Sequence, residues 1–287
     1  MTKAVNDKYF TKPSVAKNCL DMLNMEDYDL IFEPSAGCGS FLTHLPEGKS
    51  AASDISPDIP DVVQLDFYNI SKVMRLLDLR TNPDKRYLSV GNPPFGTMAD
   101  MAIDFFNGCA EFSDTVAFIL PRTFRKPSVT NRLNLSFHLR EEALLDKNSF
   151  LILNPKSDNL IQEYDVPCVF QIWDKKDVAR EKVQTKSSST HLEFVDKIDK
   201  ATYAFRRVGG NAGLLYDTSN QKSKSNPKGI SMKPPSHFYI NCDPKVAQTI
   251  RDMEWNYFSS KYDTAGNPSI SKHELITKLE KILDKGD

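Results

Sequence analysis

The stretch IFEPSAGCGSF, residues 31–41, decides the fold class of this chain. It runs from a short apolar segment directly into a turn that contains Gly37 and Gly39. Glycines at such a point permit unusual backbone angles and let a ligand approach main-chain N–H groups. The open end of a parallel strand is also where α/β folds bind their ligands. The stretch therefore predicts a strand, a tight turn and a ligand site in direct succession.

Short apolar segments recur on both sides of this stretch, and each is bounded by Gly, Pro or Asp. Helix-length segments, notably 69–80 and 97–112, separate several of them. Strands that alternate with helices indicate a parallel sheet covered on both faces. The predicted strands are DLIF (29–32), AASDI (51–55), VVQLDF (62–67), YLSV (87–90) and TVAFIL (115–120). We therefore expect an α/β fold with a doubly wound, Rossmann-like sheet.

Two later features complete the predicted organisation. No helix-length segment separates FLIL (150–153) from VPCVFQIWD (166–174), which favours an antiparallel pair at a sheet edge. The charged, Ser-rich stretch 174–190 is typical of a linker. We expect a first domain over 1–175 and a small, irregular region over 190–287. That region ends in an amphipathic helix near 270–284, capped by Ser269 or Ser271.

Composition excludes several classes of protein. Hydrophobic residues make up 40% and charged residues 26%, and no apolar run approaches the ~20 residues of a membrane span. The opening MTKAVNDKYF lacks the apolar region of a signal peptide. The five cysteines are scattered without a C-x-x-C pair, and the histidines show no metal-ligand spacing. We expect a cytoplasmic protein without a metal site and without a membrane partner.

Acidic residues follow the glycine turn at the spacing of a nucleoside site. Asp54 ends the next predicted strand, where a carboxylate can accept both hydroxyls of a ribose. Asp66 and Phe67 end the third, suited to an adenine amine and its ring. Leu42 stands where a dinucleotide fingerprint needs its third glycine, and no G-K-[ST] triplet follows. A nucleoside without a phosphate chain fits better, and S-adenosylmethionine is the leading candidate.

The segment NPPF, residues 92–95, follows the fourth predicted strand at the same edge of the sheet. An aromatic amine or an amide is a poor nucleophile because its lone pair is delocalised, and hydrogen-bond acceptors can draw that lone pair out. The Asn92 side-chain oxygen and a carbonyl of Pro93 or Pro94 can each accept one N–H. Prolines fix the backbone and carry no competing N–H. Phe95 can stack on the planar group that bears the amine.

These segments together resemble the S-adenosylmethionine-dependent amino-methyltransferases with an [NDS]-P-P-[YFW] motif. DKYFTKPSVA (7–16) is similar to their N-terminal cofactor motif, and FEPSAGCGSF, SDIS, LDF and NPPF are similar to motifs I to IV. The motif order is similar to that of the gamma-class DNA adenine-N6 enzymes. The resemblance covers about residues 7 to 175 and implies a class I methyltransferase sheet.

The resemblance also implies roles for individual residues. In the cofactor motifs it implies contacts from Thr11, Pro13, Glu33, Ser35, Gly37, Gly39, Asp54, Ile55, Asp66 and Phe67, with Asn92 at the boundary between cofactor and target. Thr11, Pro13, Glu33 and Gly37 would border the methionine end, and Asp54 the ribose. Asn92, Pro93, Pro94 and Phe95 would hold the target amine as the catalytic motif.

Two basic stretches favour a nucleic acid as the target. Residues 115–140 contain five basic side chains and no acidic one, and residues 200–235 contain seven against one. A base inside a duplex must be extruded to reach a catalytic site, and positive charge near the opening would hold the phosphates. The candidate nucleic-acid contacts are Arg122, Arg125, Lys126, Arg206 and Arg207. DNA is the favoured partner and RNA the alternative, since NPPFGT also resembles the ribosomal RNA adenine-N6 enzymes.

Other functions stay open at this stage. A protein glutamine methyltransferase uses N-P-P-Y on the same fold, and Phe95 and the basic C-terminal region count against it. Small-molecule amines are a further option. A catalytically silent subunit that partners an active one is the alternative from a different class, and the intact NPPF argues against it. We expect a monomer or a homodimer, with a partner subunit as the alternative.

Overall fold

The computed structural model describes residues 9–69, 72–73, 84–153, 161–223, 225–255, 260–264 and 267–284. It divides into two compact units, and the main division falls between Lys182 and Val183. The short segment Arg125–Pro127 belongs to the second unit. No helix among the described residues is long and apolar enough to cross a membrane. The helix predicted over 69–80 lies almost wholly outside the described residues.

The first unit is built around a seven-stranded sheet. Its strands are β2 (Leu30–Glu33), β3 (Ser50–Asp54), β4 (Val63–Gln64), β5 (Tyr87–Gly91), β6 (Thr115–Pro121), β7 (Phe137–Leu144) and β10 (Cys168–Lys175). Across the sheet they lie in the order β4-β3-β2-β5-β6-β10-β7. The first five are parallel, and β10 runs antiparallel to both β6 and β7. This confirms the predicted α/β fold with a doubly wound, Rossmann-like sheet.

A second, three-stranded sheet corrects one pairing that the sequence suggested. It consists of β1 (Phe10–Thr11), β8 (Phe150–Leu153) and β9 (Ile161–Tyr164) in the order β1-β8-β9, all antiparallel. The predicted partner of β10 was FLIL, and β10 pairs instead with β6 and β7. The alternating segment β7 was missed because its exposed face carries charged residues instead of an apolar run.

Helices cover both faces of the main sheet, as the alternating pattern predicts. The helices are α1 (Pro13–Leu20), α2 (Asp100–Ala110) and the short α3 (Pro127–Thr130). Strand β6 is buried along its whole length, and its side chains alternate between two cores. Phe118 belongs to the core that includes Phe106 of α2, whereas Ile119 belongs to the core that includes Leu20 of α1. This two-residue period is the pattern of a strand with helices on either side.

The second unit contains a four-stranded antiparallel sheet. Its strands are β11 (Leu192–Val195), β12 (Tyr203–Arg206), β13 (Leu215–Asp217) and β14 (His237–Cys242), in the order β11-β14-β12-β13. Two helices, α4 (Pro244–Asp252) and α5 (Lys272–Leu283), share its hydrophobic core. The expectation of an irregular region was therefore wrong, because its strands are short and separated by polar loops that resemble linker in sequence.

Helix α5 confirms the predicted C-terminal helix. Its N-cap is Ser271, one of the two predicted candidates, and the Ser271 hydroxyl accepts from the backbone N–H of Glu274 at 3.2 Å. The Glu274 carboxylate accepts from the backbone N–H of Ser271 at 2.7 Å in return. This capping box satisfies two N–H groups that the first turn leaves without helical partners.

Candidate active site

The geometry typical of an α/β ligand site occurs where β2 and β5 lie side by side in the first unit. The strand order reverses there. Strand β3, which follows β2 in the chain, lies on one side of β2, and β5 lies on the other side. Ligands of doubly wound sheets bind at such a switch point, beyond the carboxyl ends of the strands. Glu33 ends β2 and Asn92 directly follows β5. The topology therefore brings the two central predicted motifs to one edge.

Thr11 connects the glycine turn to the NPPF segment. Its backbone oxygen accepts from the Ser40 hydroxyl at 2.6 Å, and its side-chain oxygen accepts from Asn92 Nδ2 at 3.1 Å. The strand that carries Thr11 is itself held to Phe150 of β8. Because Thr11 is buried, these bonds hold the Asn92 side chain in one orientation.

The Asn92 side-chain oxygen is buried and has no hydrogen-bond partner among the residues that the structure describes. A buried carboxamide oxygen without a donor is unfavourable, at about 1–3 kcal/mol, unless a ligand supplies one. The amide nitrogen of the same group donates one N–H to Thr11, which fixes the position of the oxygen that has no partner. This arrangement suits a ligand N–H.

The glycine turn is closed by Asp54. The Asp54 carboxylate accepts from the backbone N–H of Gly37 at 2.9 Å and from that of Ser56 at 2.8 Å. Gly37 has φ +51° and Gly39 has φ +80°, which glycine adopts without strain. A Cβ at position 39 would stand 2.5 Å from Ile59 Cδ1. Asp54 therefore shapes the turn, and each of its oxygens retains a lone pair for a ligand hydroxyl.

Glu33 is a buried carboxyl group at the base of the site. Burial raises its pKa well above the ordinary value of 4.5, a hydrogen bond from the Leu42 backbone lowers it, and the charge of Asp54 raises it further. In the described part of the chain, its Oε2 atom has no hydrogen-bond partner. A Cβ at Gly91, whose φ is +147°, would lie 3.2 Å from Glu33 Cγ, so the close approach of β5 depends on this glycine. The group is suited to a cationic ligand atom.

The remaining residues of the predicted site lie around this edge. Pro13 is the first residue of α1 and is exposed, Ser35 is half-buried, and Ile55 is 67% exposed. Phe95 is partly buried and packs against the cores on both faces of the sheet. The ring of Phe95 is thus partly anchored, with the rest accessible.

Asp66 and Phe67 have different surroundings from each other. Asp66 is exposed, and its carboxylate accepts from the backbone N–H of Tyr68 at 3.0 Å. Phe67 is only 5% exposed and stacks on Phe105 of α2, with 4.1 Å between ring centroids. Little of the Phe67 ring is available to a ligand, whereas the Asp66 carboxylate is accessible.

Arg122 corrects part of the predicted nucleic-acid surface. It is 2% exposed, so its guanidinium group is buried away from any phosphate at the surface. The sequence pattern was misleading because a run of basic residues without acidic ones does not show which of its side chains are buried. Arg122 is therefore removed from the candidate contacts.

Arg125 and Lys126 are only partly exposed and belong to the second unit. Arg125 pairs with Asp263 at 2.8 Å, and Lys126 pairs with Glu274 at 3.3 Å. Lys126 also donates to the Ser269 carbonyl at 3.1 Å. Both side chains thus form ion pairs within the second unit, and both line a groove of that unit.

Arg206 and Arg207 also make contacts within the second unit. Arg206 Nε donates to the Val208 carbonyl at 2.8 Å, and Arg207 donates to the Pro235 carbonyl at 3.2 Å. The Arg207 guanidinium lies 4.9 Å from the ring centroid of Phe238. Both are half-buried, so they stabilise the C-terminal end of β12 while part of each side chain is accessible.

Sequence reasoning missed two features of this site. It assigned Thr11 to the cofactor and did not foresee its bond to Asn92, because 81 residues separate them and no local pattern links them. It also missed the strained backbone after NPPF, where Met98 has φ +55° and Ala99 has φ +65°. Met98 is 82% exposed beside the site. In a sequence, only glycine, and to a lesser extent Asn or Asp, indicates a backbone with positive φ.

The fold and the site define a class of protein: an α/β domain with a Rossmann-like sheet and a polar ligand site at its switch point. In the part of the chain that the structure describes, no three His, Cys, Asp or Glu side chains are grouped so as to hold a metal.

No protein-family model matches this chain, and no curated protein matches it. Among solved structures, the 23S rRNA methyltransferase ErmE is 12% identical, with a TM-score of 0.39 over 60% of this chain and 71% of ErmE. A protein described as Thermoplasma acidophilum 1320 is 15% identical, with a TM-score of 0.31 over 52% of this chain and 80% of its own. Neither similarity assigns an activity, and the fold class rests on the strand order.

Proposed function

We propose that this chain is an S-adenosylmethionine-dependent methyltransferase that acts on the N6 amine of adenine in DNA. The observation that carries the proposal is the Asn92 carboxamide: its nitrogen is held by Thr11 and its oxygen is buried without a donor. That group is ready to accept one N–H from a ligand amine. It belongs to an NPPF segment at the switch point of a Rossmann-like sheet.

The residues present fit S-adenosylmethionine. Glu33 Oε2 is a buried carboxyl oxygen without a partner, and the ammonium group of a methionine moiety would satisfy it. Asp54 is fixed by the glycine turn with lone pairs left for ribose hydroxyls. Asp66 follows Asp54 in the chain and is exposed, and its carboxylate can accept an N–H of the adenine amine. When bound, this cofactor supplies an electrophilic methyl group on a positively charged sulfur.

The protein's own part in the reaction is to prepare the nucleophile. Asn92 Oδ1 accepts one N–H of the target amine, and a carbonyl of the Pro93–Pro94 segment accepts the other. These bonds withdraw the nitrogen lone pair from the ring and direct it toward the methyl group, an interaction that strengthens in the transition state. Phe95 holds the ring plane by stacking. The proton leaves the amine after alkylation, when the nitrogen has become acidic, so a strong general base is not required.

DNA is the proposed target because the motif order resembles that of the gamma-class DNA enzymes. RNA is the second candidate, since NPPFGT also resembles the ribosomal RNA adenine-N6 enzymes. Both targets require the same chemistry at Asn92. The difference lies in which polynucleotide the protein binds, and a direct comparison of substrates decides it.

The test is transfer of a labelled methyl group to duplex DNA, single-stranded DNA, structured RNA and bulk protein. Asn92→Ala removes the acceptor, and we expect a rate loss of about 100-fold or more. Asn92→Asp is the matched variant, since it keeps an acceptor oxygen at the same reach. Methyl label in DNA that digests to N6-methyladenine nucleoside and is lost with Asn92→Ala supports the proposal.

The other outcomes are equally informative. Label in RNA alone would keep the chemistry and replace the substrate. Label in protein alone would favour a glutamine methyltransferase. An Asn92→Ala variant as active as the unmodified chain would overturn the assignment of Asn92. Cofactor binding without transfer to any of the four would favour a silent subunit that needs a partner.

A further inference from the structure

Helix α5 forms one wall of a groove in the second unit. The groove has a volume of about 730 Å³, and every residue that lines it belongs to the second unit. His273, Thr277 and Lys281 follow one another at four-residue spacing, so one face of the helix lines it. The segment Arg125–Pro127 lines it as well. The site thus combines a helix face with a short connection between two helical turns.

The groove carries an excess of positive charge. Its charged lining residues are four cations, Arg125, Lys126, Lys278 and Lys281, and one carboxylate, Glu274. The ion pairs to Asp263 and Glu274 neutralise the first two. Lys278 and Lys281 remain as cations on α5, three residues apart and therefore on adjoining parts of one helix face. Two lysines so placed match the charge of neighbouring phosphate groups.

Trp255 adds an aromatic surface to the groove. Lys278 Nζ lies 4.4 Å from the centroid of the Trp255 ring and donates to the backbone carbonyl of Glu254. The ring also packs over Gly213, where a Cβ would stand 2.5 Å from Trp255 Cδ1. The indole N–H is buried, and no described residue offers it an acceptor. An aromatic ring beside cations is the combination that single-stranded nucleic acids bind.

We propose that this groove binds the phosphodiester backbone of a nucleic-acid strand through Lys278 and Lys281, with Trp255 beside them. The inference rests on the proposed function, because it names a second site, separate from the catalytic residues, that binds the substrate strand. It also replaces Arg122 and supplements Arg206 and Arg207 as nucleic-acid contacts. The ligand chemistry is shared by DNA and RNA, so both are probes in the test.

Burial is consistent with a phosphate partner for Lys278. Its pKa is lowered, chiefly because burial disfavours the charged form, while the charge of Glu254 raises it. A phosphate oxygen near Nζ would favour the charged form and offset that desolvation. Lys281 is exposed and needs no such compensation. The pair therefore offers one partly buried and one solvent-facing cation to a strand.

The experiment is a binding titration of the full chain with labelled single-stranded DNA and RNA of the same sequence, over a series of KCl concentrations. The variant is Lys278→Gln with Lys281→Gln. We expect its affinity to fall about tenfold at moderate salt. Each lost phosphate contact removes about 0.7 from the slope of log affinity against log salt, so we expect the slope to fall by about 1.4. Trp255 emission, absent in Trp255→Phe, gives a second readout at the groove.

The matched control is Lys197→Gln with Lys245→Gln, two exposed lysines of the second unit that lie outside both basic stretches and give the same change in charge. An unchanged control beside a weakened groove variant supports the proposal. A groove variant with unchanged affinity and salt slope overturns it, as does a loss of equal size in the control. Absence of binding by the unmodified chain also overturns it. Methyl transfer to free adenosine, measured in parallel, separates each result from failure of the proposed activity.

Discussion

The hydroxyl group of Thr11 holds the side-chain amide of Asn92, with 3.1 Å between Thr11 Oγ1 and Asn92 Nδ2. The bond leaves Asn92 Oδ1 buried and without a partner. It also joins a strand outside the main sheet to the segment that follows β5. The orientation of the proposed catalytic amide thus depends on a residue 81 positions away in the chain.

The first prediction tests that dependence. Thr11→Val preserves shape but removes the acceptor, so Asn92 can rotate, and we expect kcat to fall roughly 10- to 100-fold. Thr11→Ser keeps the hydroxyl and should restore kcat to within about threefold of the original. Methyl-transfer kinetics on the best substrate measure both. Full activity in the valine variant beside a loss in the serine variant would show that the methyl group of Thr11 matters and not its hydroxyl.

The second prediction concerns the unpartnered carboxyl oxygen of Glu33. Glu33→Gln keeps the shape but cannot give up a proton to become a carboxylate when a cationic ligand binds, so it should weaken that ligand by the value of a charge-assisted hydrogen bond, about 1.5–3 kcal/mol. That corresponds to about 10- to 100-fold in Kd for S-adenosylmethionine by calorimetry. Sinefungin, which also carries the amino acid moiety, should lose affinity in parallel, whereas adenosine should not. Equal Kd values for variant and original would place the ammonium group elsewhere.

The third prediction follows from the raised pKa of Glu33. Burial favours the protonated form of Glu33 in the folded state. The contribution of protonated Glu33 to the free energy of unfolding is therefore fully present below the ordinary pKa of 4.5, and it is lost as pH rises through the pKa of Glu33 in the folded state. The ligand-free chain should therefore lose less stability over that interval when Glu33 is replaced by Gln. Urea unfolding of both proteins from pH 5 to pH 8 measures the difference. Identical pH slopes would contradict the pKa direction.

The fourth prediction concerns the strained backbone beside the site. Met98 has φ +55°, a conformation that costs an ordinary side chain about 1–2 kcal/mol and a β-branched one more. Met98→Gly should leave the free energy of unfolding within about 1 kcal/mol, since relieved strain offsets the added chain entropy. Met98→Val should reduce it by at least ~1 kcal/mol relative to glycine. If valine were tolerated as well as glycine, the residue would not be in the left-handed region.

The fifth prediction tests the packing of Trp255, which lines the groove, against Gly213. Gly213 has φ +106°, and a Cβ there would meet Trp255 Cδ1 at 2.5 Å. Gly213→Ala should destabilise the second unit by about 2–4 kcal/mol, because both the backbone and the indole must shift. Gly210→Ala is the matched control, since a Cβ at that position meets nothing within 4 Å. Unfolding followed by Trp255 emission measures both variants.

Local sequence patterns were sufficient for the parallel strands and for the edge at which the site forms. Apolar segments bounded by Gly or Asp predicted β2, β3, β5 and β6, and capping chemistry predicted Ser271 as the start of α5. Such features depend on neighbours a few residues apart, so they are written in the local sequence. The same reasoning predicted FLIL as the partner of β10 and missed the charged strand β7. Strand partners depend on which edge remains unpaired after the sheet forms, and a local pattern does not contain that.

By itself, the sequence determined the residue types at the switch point: Glu33, the glycine turn, Asp54 and NPPF, each at the end of a strand or directly after it. Periodicity and turn chemistry are local, so these assignments did not require long-range contacts. Only the tertiary structure decided which atoms remain available to a ligand. It buried Arg122, stacked Phe67 on Phe105 and left Asn92 Oδ1 without a donor. Burial and hydrogen-bond pairing are set by residues that are distant in the chain, and chain folding alone brings them together.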